Sequence, residues 1–185
     1  TWIARVSGAV LPVASHCDGP AIVLGGGDPR LSGGAFDEDY IIDISEDAVK
    51  IAGSGMRGTL YGVYQFLEDH LGVRFFAAGA EYAPRRETLE LKPGRYYGKP
   101  DIAIRRMPFK CAEGITFGAR ARFNEMAGDP ALSENPEYGR GDYPYALGHS
   151  IHLMVPDALF QEHPEYFPEI GGERRCGAHH QRCLT

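Results

Sequence analysis

Long apolar runs are missing from this 185-residue chain. None approaches the ~20 residues that a membrane-spanning helix requires, so no such helix is expected. A basic excess is missing too. Lysine and arginine together number 19 against 25 acidic residues, a formal charge of -6. With no basic cluster to reverse that balance locally, nucleic acid is not expected as a partner. Cysteine is scarce, and Cys17, Cys111, Cys176 and Cys183 are too scattered for a disulfide framework. No signal peptide is recognisable, but the chain opens at Thr1 inside a helical pattern, so that lack excludes no targeting segment.

What remains is ordinary globular composition, 43% hydrophobic and 24% charged, with a length that suits one domain or two small ones. Within it lies Gly53-Ser54-Gly55-Met56-Arg57-Gly58, a complete G-x-G-x-x-G. That motif signals a dinucleotide only between a buried parallel strand and a helix, with an acidic residue about 20 positions on. A strand over 47–52 and a helix from Gly58, with Leu60, Tyr64, Leu67 and Leu71 as its apolar stripe, meet part of this. However, Tyr40–Ile44 and Val49–Ala52 are separated by a link of hairpin length, which predicts antiparallel pairing. Val49 and Ile51 alternate with Lys50, as in a half-exposed strand. Glu81, the nearest carboxylate downstream, is misplaced. The glycines are therefore expected to serve a tight strand-to-helix turn and close helix-on-sheet packing.

Around this motif the pattern predicts a helix ending at Gly8, a strand over Ala21–Leu24, a glycine-rich loop over 25–29, a strand over Val73–Phe76 and another over Thr88–Leu91. These make an α/β (α+β) class fold, a small mixed-sheet sandwich over residues 1–92. Residues 93–100, rich in turn formers, read as a linker. Beyond it come a strand over Ile102–Arg105, a short helix over Gly118–Met126, a polar loop over 129–144 and a helix over Asp157–His163, charged at its start by Asp157 and stopped by Pro164. This texture resembles the opening of a β/α series.

Candidate chemistry is sparse. Cys176, His179, His180 and Cys183 offer four ligands in one short segment, but structural zinc sites draw paired ligands from two separated knuckles. A loop with incidental histidines is the expectation, and neither a metal nor a cofactor is assigned. Glu165 and Glu169 are four apart, but Pro164 and Pro168 interrupt any helix that would align them, so a solvated turn is expected.

Trp2 to Val13 resembles the end of the first helix in the N-terminal domain of α-glucuronidases and related glycoside hydrolases. Tyr40 to Phe76, with its core GMRGTLYGVYQFLEDHLGVRFF at residues 55–76, resembles the small domain preceding the barrel in β-hexosaminidases and α-glucuronidases, with Gly58, Tyr61 and Gly62 at the helix start. Pro100 with Arg105 is similar to the first barrel strand of those enzymes, and Arg122-Phe123-Asn124 to the end of their first barrel helix. Gly148-His149-Ser150, His163–Phe167 and Cys183-Leu184-Thr185 are similar to a bacterial family joining a glucuronidase-type domain to a barrel.

The resemblance implies that residues 101–185 are the first units of a truncated (β/α)8 barrel. Such a barrel takes about 250 residues, far more than follow Pro100. The catalytic carboxylates of those hydrolases lie on later strands, so they are expected beyond Thr185, and no catalytic residue is assigned here. Arg105 is a candidate for binding sugar hydroxyls or a uronic carboxylate, its alternative being a salt bridge at the strand end. Glu113, at the barrel mouth, and His149, on a loop, are further substrate-binding candidates; Asn124 could bind substrate or cap a helix end.

Two classes of function follow: the N-terminal portion of a glycoside hydrolase, with a glycan or oligosaccharide as partner, or a non-catalytic carbohydrate-binding or structural domain. The resemblance favours an extracellular or periplasmic location. Were the chain to end at Thr185, residues 101–185 would expose strand edges, which predicts loose packing or homo-oligomerisation.

Overall fold

A computed structural model describes residues 1–32, 37–103, 105–107, 114–126 and 155–177. The chain divides into two compact units, Thr1–Tyr143 and Pro144–Thr185.

The first unit opens with helix α1 (Trp2–Ser7), capped by the Thr1 hydroxyl and ended by Gly8 in the left-handed conformation (φ 81°), as expected. Its centre is a four-stranded sheet of β1 (Ala21–Leu24), β2 (Tyr40–Ile44), β3 (Ala48–Gly53) and β6 (Gly94–Gly98), in the order β1-β3-β2-β6. The predicted hairpin is present, β2 and β3 pairing antiparallel with Ile42 opposite Ile51. β1 joins β3 in parallel, so the sheet is mixed. Period-two alternation turns Tyr40, Ile42, Ile44, Val49 and Ile51 onto one face, where they form the core with helix α2 (Met56–Asp69).

The buried face of α2 is not quite the expected stripe. Leu60 and Tyr64 lie at its margin, while Gly58, Tyr61, Gly62, Phe66 and Leu67 face the sheet together with Arg57. The reason is close approach. A Cβ on Gly62 would stand 2.7 Å from Ile51 Cγ2, and one on Gly58 would stand 2.3 Å from the Asp39 carbonyl oxygen. Both positions must be glycine for the helix to lie this near β2.

Three expectations shift. Residues 94–98 form β6, an edge strand pairing antiparallel with β2, rather than a linker. Flanking prolines and glycines are what an edge strand tolerates. Residues 88–91 form no ladder, although Leu89 and Leu91 pack against the core. The Val73 strand starts one residue later, as β4 (Arg74–Ala77), and folds back on β5 (Ala80–Tyr82) in a separate hairpin.

After β6 the first unit continues with β7 (Arg106–Met107), α3 (Gly114–Arg120) and β8 (Glu125–Met126), and β7 and β8 pair in parallel. The helix therefore starts before the expected 118–126 span and ends inside it, at Arg120, and the expected strand over 102–105 gives way to one starting at Arg106. Residues 102 and 103 lie in a bend, and the backbone of Arg105 bonds to Asn124. The long loop of residues 129–144 lies outside the described residues.

In the second unit Asp157–Gln161 forms a 3-10 helix, with Asp157 in its first turn, and Pro164–Tyr166 forms another. Proline at 164 cannot extend the first helix, so the chain restarts. A two-residue hairpin follows, β9 (Glu169–Ile170) with β10 (Glu173–Arg174). Phe167 is fully buried, edge-on to Phe160 at 5.1 Å. Among the described residues no helix is long and apolar enough to cross a membrane.

Candidate functional site

The most concentrated polar chemistry among the described residues gathers on Glu38, just ahead of β2. Its side chain is 7% exposed. Oε1 accepts from Arg57 Nη1 at 3.1 Å and Asn124 Nδ2 at 3.0 Å, and Oε2 accepts from Arg105 Nη2 at 2.8 Å. Tyr61 OH stands 3.4 Å from Oε1 and equally far from the carbonyl oxygens of Arg122 and Phe123. One hydroxyl proton serves one of these acceptors at a time.

Local structure brings these groups together. Arg57 and Tyr61 sit one helical turn apart on α2 and so share a face. Arg105 and Asn124 are tied by a backbone pair: Asn124 N–H donates to the Arg105 carbonyl at 3.0 Å, and Arg105 N–H donates to Asn124 Oδ1 at 2.8 Å. Asn124 Nδ2 also donates to the Ala103 carbonyl at 2.6 Å. The guanidinium of Arg105 is fully engaged, with Nε on the Arg122 carbonyl at 2.7 Å, Nη1 on the Ile102 carbonyl, and Cζ 5.8 Å from the Tyr61 ring centroid. Arg122 has a left-handed backbone (φ 59°), strained for a side chain of its size. Its side chain pairs with Glu68 and with Gln65 Oε1, and Gln65 Oε1 also accepts from Tyr40 OH.

Electrostatics follow from burial. Burial first, and the Glu38 charge second, push the Tyr61 hydroxyl up to about 12, with Arg105 and Arg57 opposing. Burial likewise raises Tyr40. Glu38 carries one negative charge between two guanidinium groups whose side chains are 9% and 15% exposed. A carboxylate so covered by donors is suited to holding chain segments together. It is poorly placed to meet a substrate proton, which needs a base within hydrogen-bond reach of the ligand.

The glycine motif has no room for a pyrophosphate. The Gly58 N–H donates to the Asp37 carbonyl at 2.9 Å and the Ser54 N–H to the Asp39 carbonyl at 3.1 Å. A Cβ on Gly53 would lie 2.0 Å from Thr59 N. The protein's own backbone thus occupies the place that phosphate oxygens would take. Glu81 pairs instead with Arg5 at 2.9 Å and with Arg120, whose guanidinium carbon lies 5.4 Å from the Trp2 ring and 5.2 Å from the Phe75 ring.

Of the four substrate-binding candidates, Arg105 and Asn124 come together on Glu38, where Arg105 makes the salt bridge foreseen as its alternative. Asn124 joins two segments and caps no helix. Glu113 and His149 lie outside the described residues, as do His179, His180 and Cys183. Cys176 is exposed, and among the described residues no group of three metal-ligating side chains is placed to hold an ion. Glu165 and Glu169 are on the surface, with side chains 58% and 56% exposed, paired with His163 and Arg174. Glu38 and Arg57 were missed from sequence. The signal was Arg57 itself, a cation in helical phase with Tyr61 and beside Gly58.

No model of a known protein family matches the chain, and no curated protein matches it.

Proposed function

We propose that this chain is the N-terminal portion of a carbohydrate-active, glycoside hydrolase-like protein, and that its mixed-sheet domain is a non-catalytic brace for the segment that follows. The observation carrying the reading is the Glu38 carboxylate. It binds Arg57 on α2 and, from beyond β6 in the chain, Arg105 and Asn124, the residues that immediately precede β7 and β8. Removing one partner from such a buried charge cluster destabilises by about 3–5 kcal/mol, so the cluster couples the stabilities of the segments it joins.

The hydrolase part of the reading is supported by the resemblance of residues 55–76 and of Pro100 with Arg105. The parallel strands of β7 and β8, joined through α3, are compatible with the opening of a β/α barrel. Catalysis then belongs to carboxylates outside the described residues. Hydrolysis needs two carboxyl groups flanking an open bond, and Glu38 is closed over by its donors.

The test is turnover of aryl glycosides, including α-glucuronide and N-acetylhexosaminide, by the 185-residue chain and by its complete reading frame side by side. Turnover by the complete protein, reduced along with its thermal stability by Glu38→Gln, is the expected result. Silence from both proteins across the panel would overturn the hydrolase reading and leave a binding or structural module.

A further inference from the structure

On the sheet face opposite α2, Ile41, Arg95, Tyr97 and Arg30 line an open cavity of ≈ 390 Å³. Ile41 forms an apolar floor at 3% exposure, and the Tyr97 ring stands beside it, 52% exposed. The strand register requires this placement, because Tyr97 pairs with Ile41 and Arg95 with Asp43 across β6 and β2.

Each arginine is held by its own carboxylate. Arg30 forks onto Asp28, Nε to Oδ1 at 2.8 Å and Nη2 to Oδ2 at 2.6 Å. Arg95 places Nε on Asp43 Oδ2 at 2.8 Å, with Nη2 on the same oxygen. A guanidinium has five N–H donors, so among the described residues about three on each remain undirected after these bonds. The bond from Arg30 holds the Asp28 carboxyl down to about 2, and Arg95 adds to that effect from across the cavity.

The charges balance, two cations against two anions. That is a poor match for a phosphate or a polyanion, which calls for uncompensated cations. It suits a neutral ring bearing several hydroxyls. Vicinal hydroxyls can accept from a guanidinium and donate to its carboxylate, while an aliphatic ring face covers the tyrosine. We infer that this sheet face is a carbohydrate-binding subsite, taking a single neutral pyranose ring against Tyr97 between the Asp28–Arg30 and Asp43–Arg95 pairs. The site stands apart from the Glu38 cluster and does not require the protein to hydrolyse anything.

The experiment is a titration of the full chain with methyl glucoside, methyl N-acetylglucosaminide and methyl glucuronide, followed by NMR of backbone amides and arginine side chains. Inorganic phosphate serves as the competing anion. Expected are saturable shifts at Arg30, Arg95 and Tyr97 with a neutral glycoside, weakened about ten-fold or more by Tyr97→Ala and largely retained by Tyr97→Phe. Tyr82→Ala, at an exposed tyrosine on β5, should change nothing. Saturation at these residues by phosphate or the glucuronide alone would overturn the assignment in favour of an anion site. No saturable shift with any glycoside would overturn it outright. Binding without turnover by the complete protein would leave this subsite standing while removing the hydrolase reading.

Discussion

Replacing Glu38 by glutamine keeps the shape of the side chain and removes its charge. Oε1 survives as an acceptor for Arg57 and Asn124, but the new amide directs N–H groups at Arg105 Nη2, where Oε2 now accepts at 2.8 Å. Two guanidinium groups, with side chains 9% and 15% exposed, then lose the Glu38 charge that faces them. Loss of one partner from a buried pair costs about 3–5 kcal/mol. Arg105, the more exposed of the two, can recover some hydration, so about 3 kcal/mol is expected. For a chain of this size that corresponds to a fall of roughly 6–12 °C in the melting midpoint. Trp2 is the single tryptophan and contacts Arg5, Arg120 and Phe75, so its fluorescence in urea reports unfolding of the first unit. Amide exchange at Arg105 and Asn124 should accelerate in parallel. A triple replacement, Glu38→Leu with Arg57→Met and Arg105→Met, should be far less damaging than the single one, because both guanidinium groups leave together with the carboxylate that faces them. A loss below about 1 kcal/mol for Glu38→Gln, with exchange at Asn124 unchanged, would refute the idea that this carboxylate holds the segments together.

Gly58→Ala places a methyl 2.3 Å from the Asp39 carbonyl oxygen, and urea melts should show a loss of about 1–3 kcal/mol or more. Gly27→Ala, with open space around it, should be near neutral in the same assay. The Tyr61 hydroxyl, pushed up to about 12 by burial, should escape ultraviolet titration until well after the exposed tyrosines ionise. Because its folded value lies above the unfolded value of about 10, its share of stability is complete below that pH. That share, on the order of 2–3 kcal/mol, is lost as pH rises through the folded value. Glu38→Gln should bring the Tyr61 titration down. Burial lowers His70, which stacks on Phe66 and meets Tyr96 edge-on at 4.8 Å. Here the folded value lies below the unfolded one, so stability is complete above about pH 6.5 and declines as pH falls. An imidazole titration by NMR that places His70 above the free value would contradict this.

The hairpin, α2 and the Gly8 stop were readable because each rests on local chemistry: alternation, helical period and a left-handed cap. β6 was not, for an opposite reason. Gly94-Arg95-Tyr96-Tyr97-Gly98 holds one arginine and two adjacent tyrosines between turn formers, and only its pairing with β2, some fifty residues earlier, makes it a strand. Leu89 and Leu91 show the converse error, since alternation placed them on the core while no neighbour supplied a ladder. Glu38 lies in Asp37-Glu38-Asp39, which reads as a solvated acidic turn. Its burial depends on Arg105 and Asn124 arriving from far along the chain.

The glycine motif and the Glu38 cluster are two consequences of one packing decision. With no side chains at Gly58 and Gly62, α2 settles close enough on β2 for the Asp37 and Asp39 carbonyls to press against its first turn. That first turn is the positive end of the helix, where acidic groups are favoured. What it meets there is the chain's own backbone, the Asp37 carbonyl on the Gly58 N–H, in the place a nucleotide phosphate would occupy. The same contact brings Arg57 to Glu38, and the carboxylate then has an oxygen left for Arg105. A larger residue at position 58 would lift the helix, separate Arg57 from Glu38 and release the segment that Arg105 and Asn124 anchor. Gly58→Ala should therefore raise amide exchange at Asn124 as well as lower global stability, although Asn124 lies far from the substituted residue in sequence. Protection at Asn124 that survives Gly58→Ala in the folded protein would separate the two features and show that the motif serves only the turn.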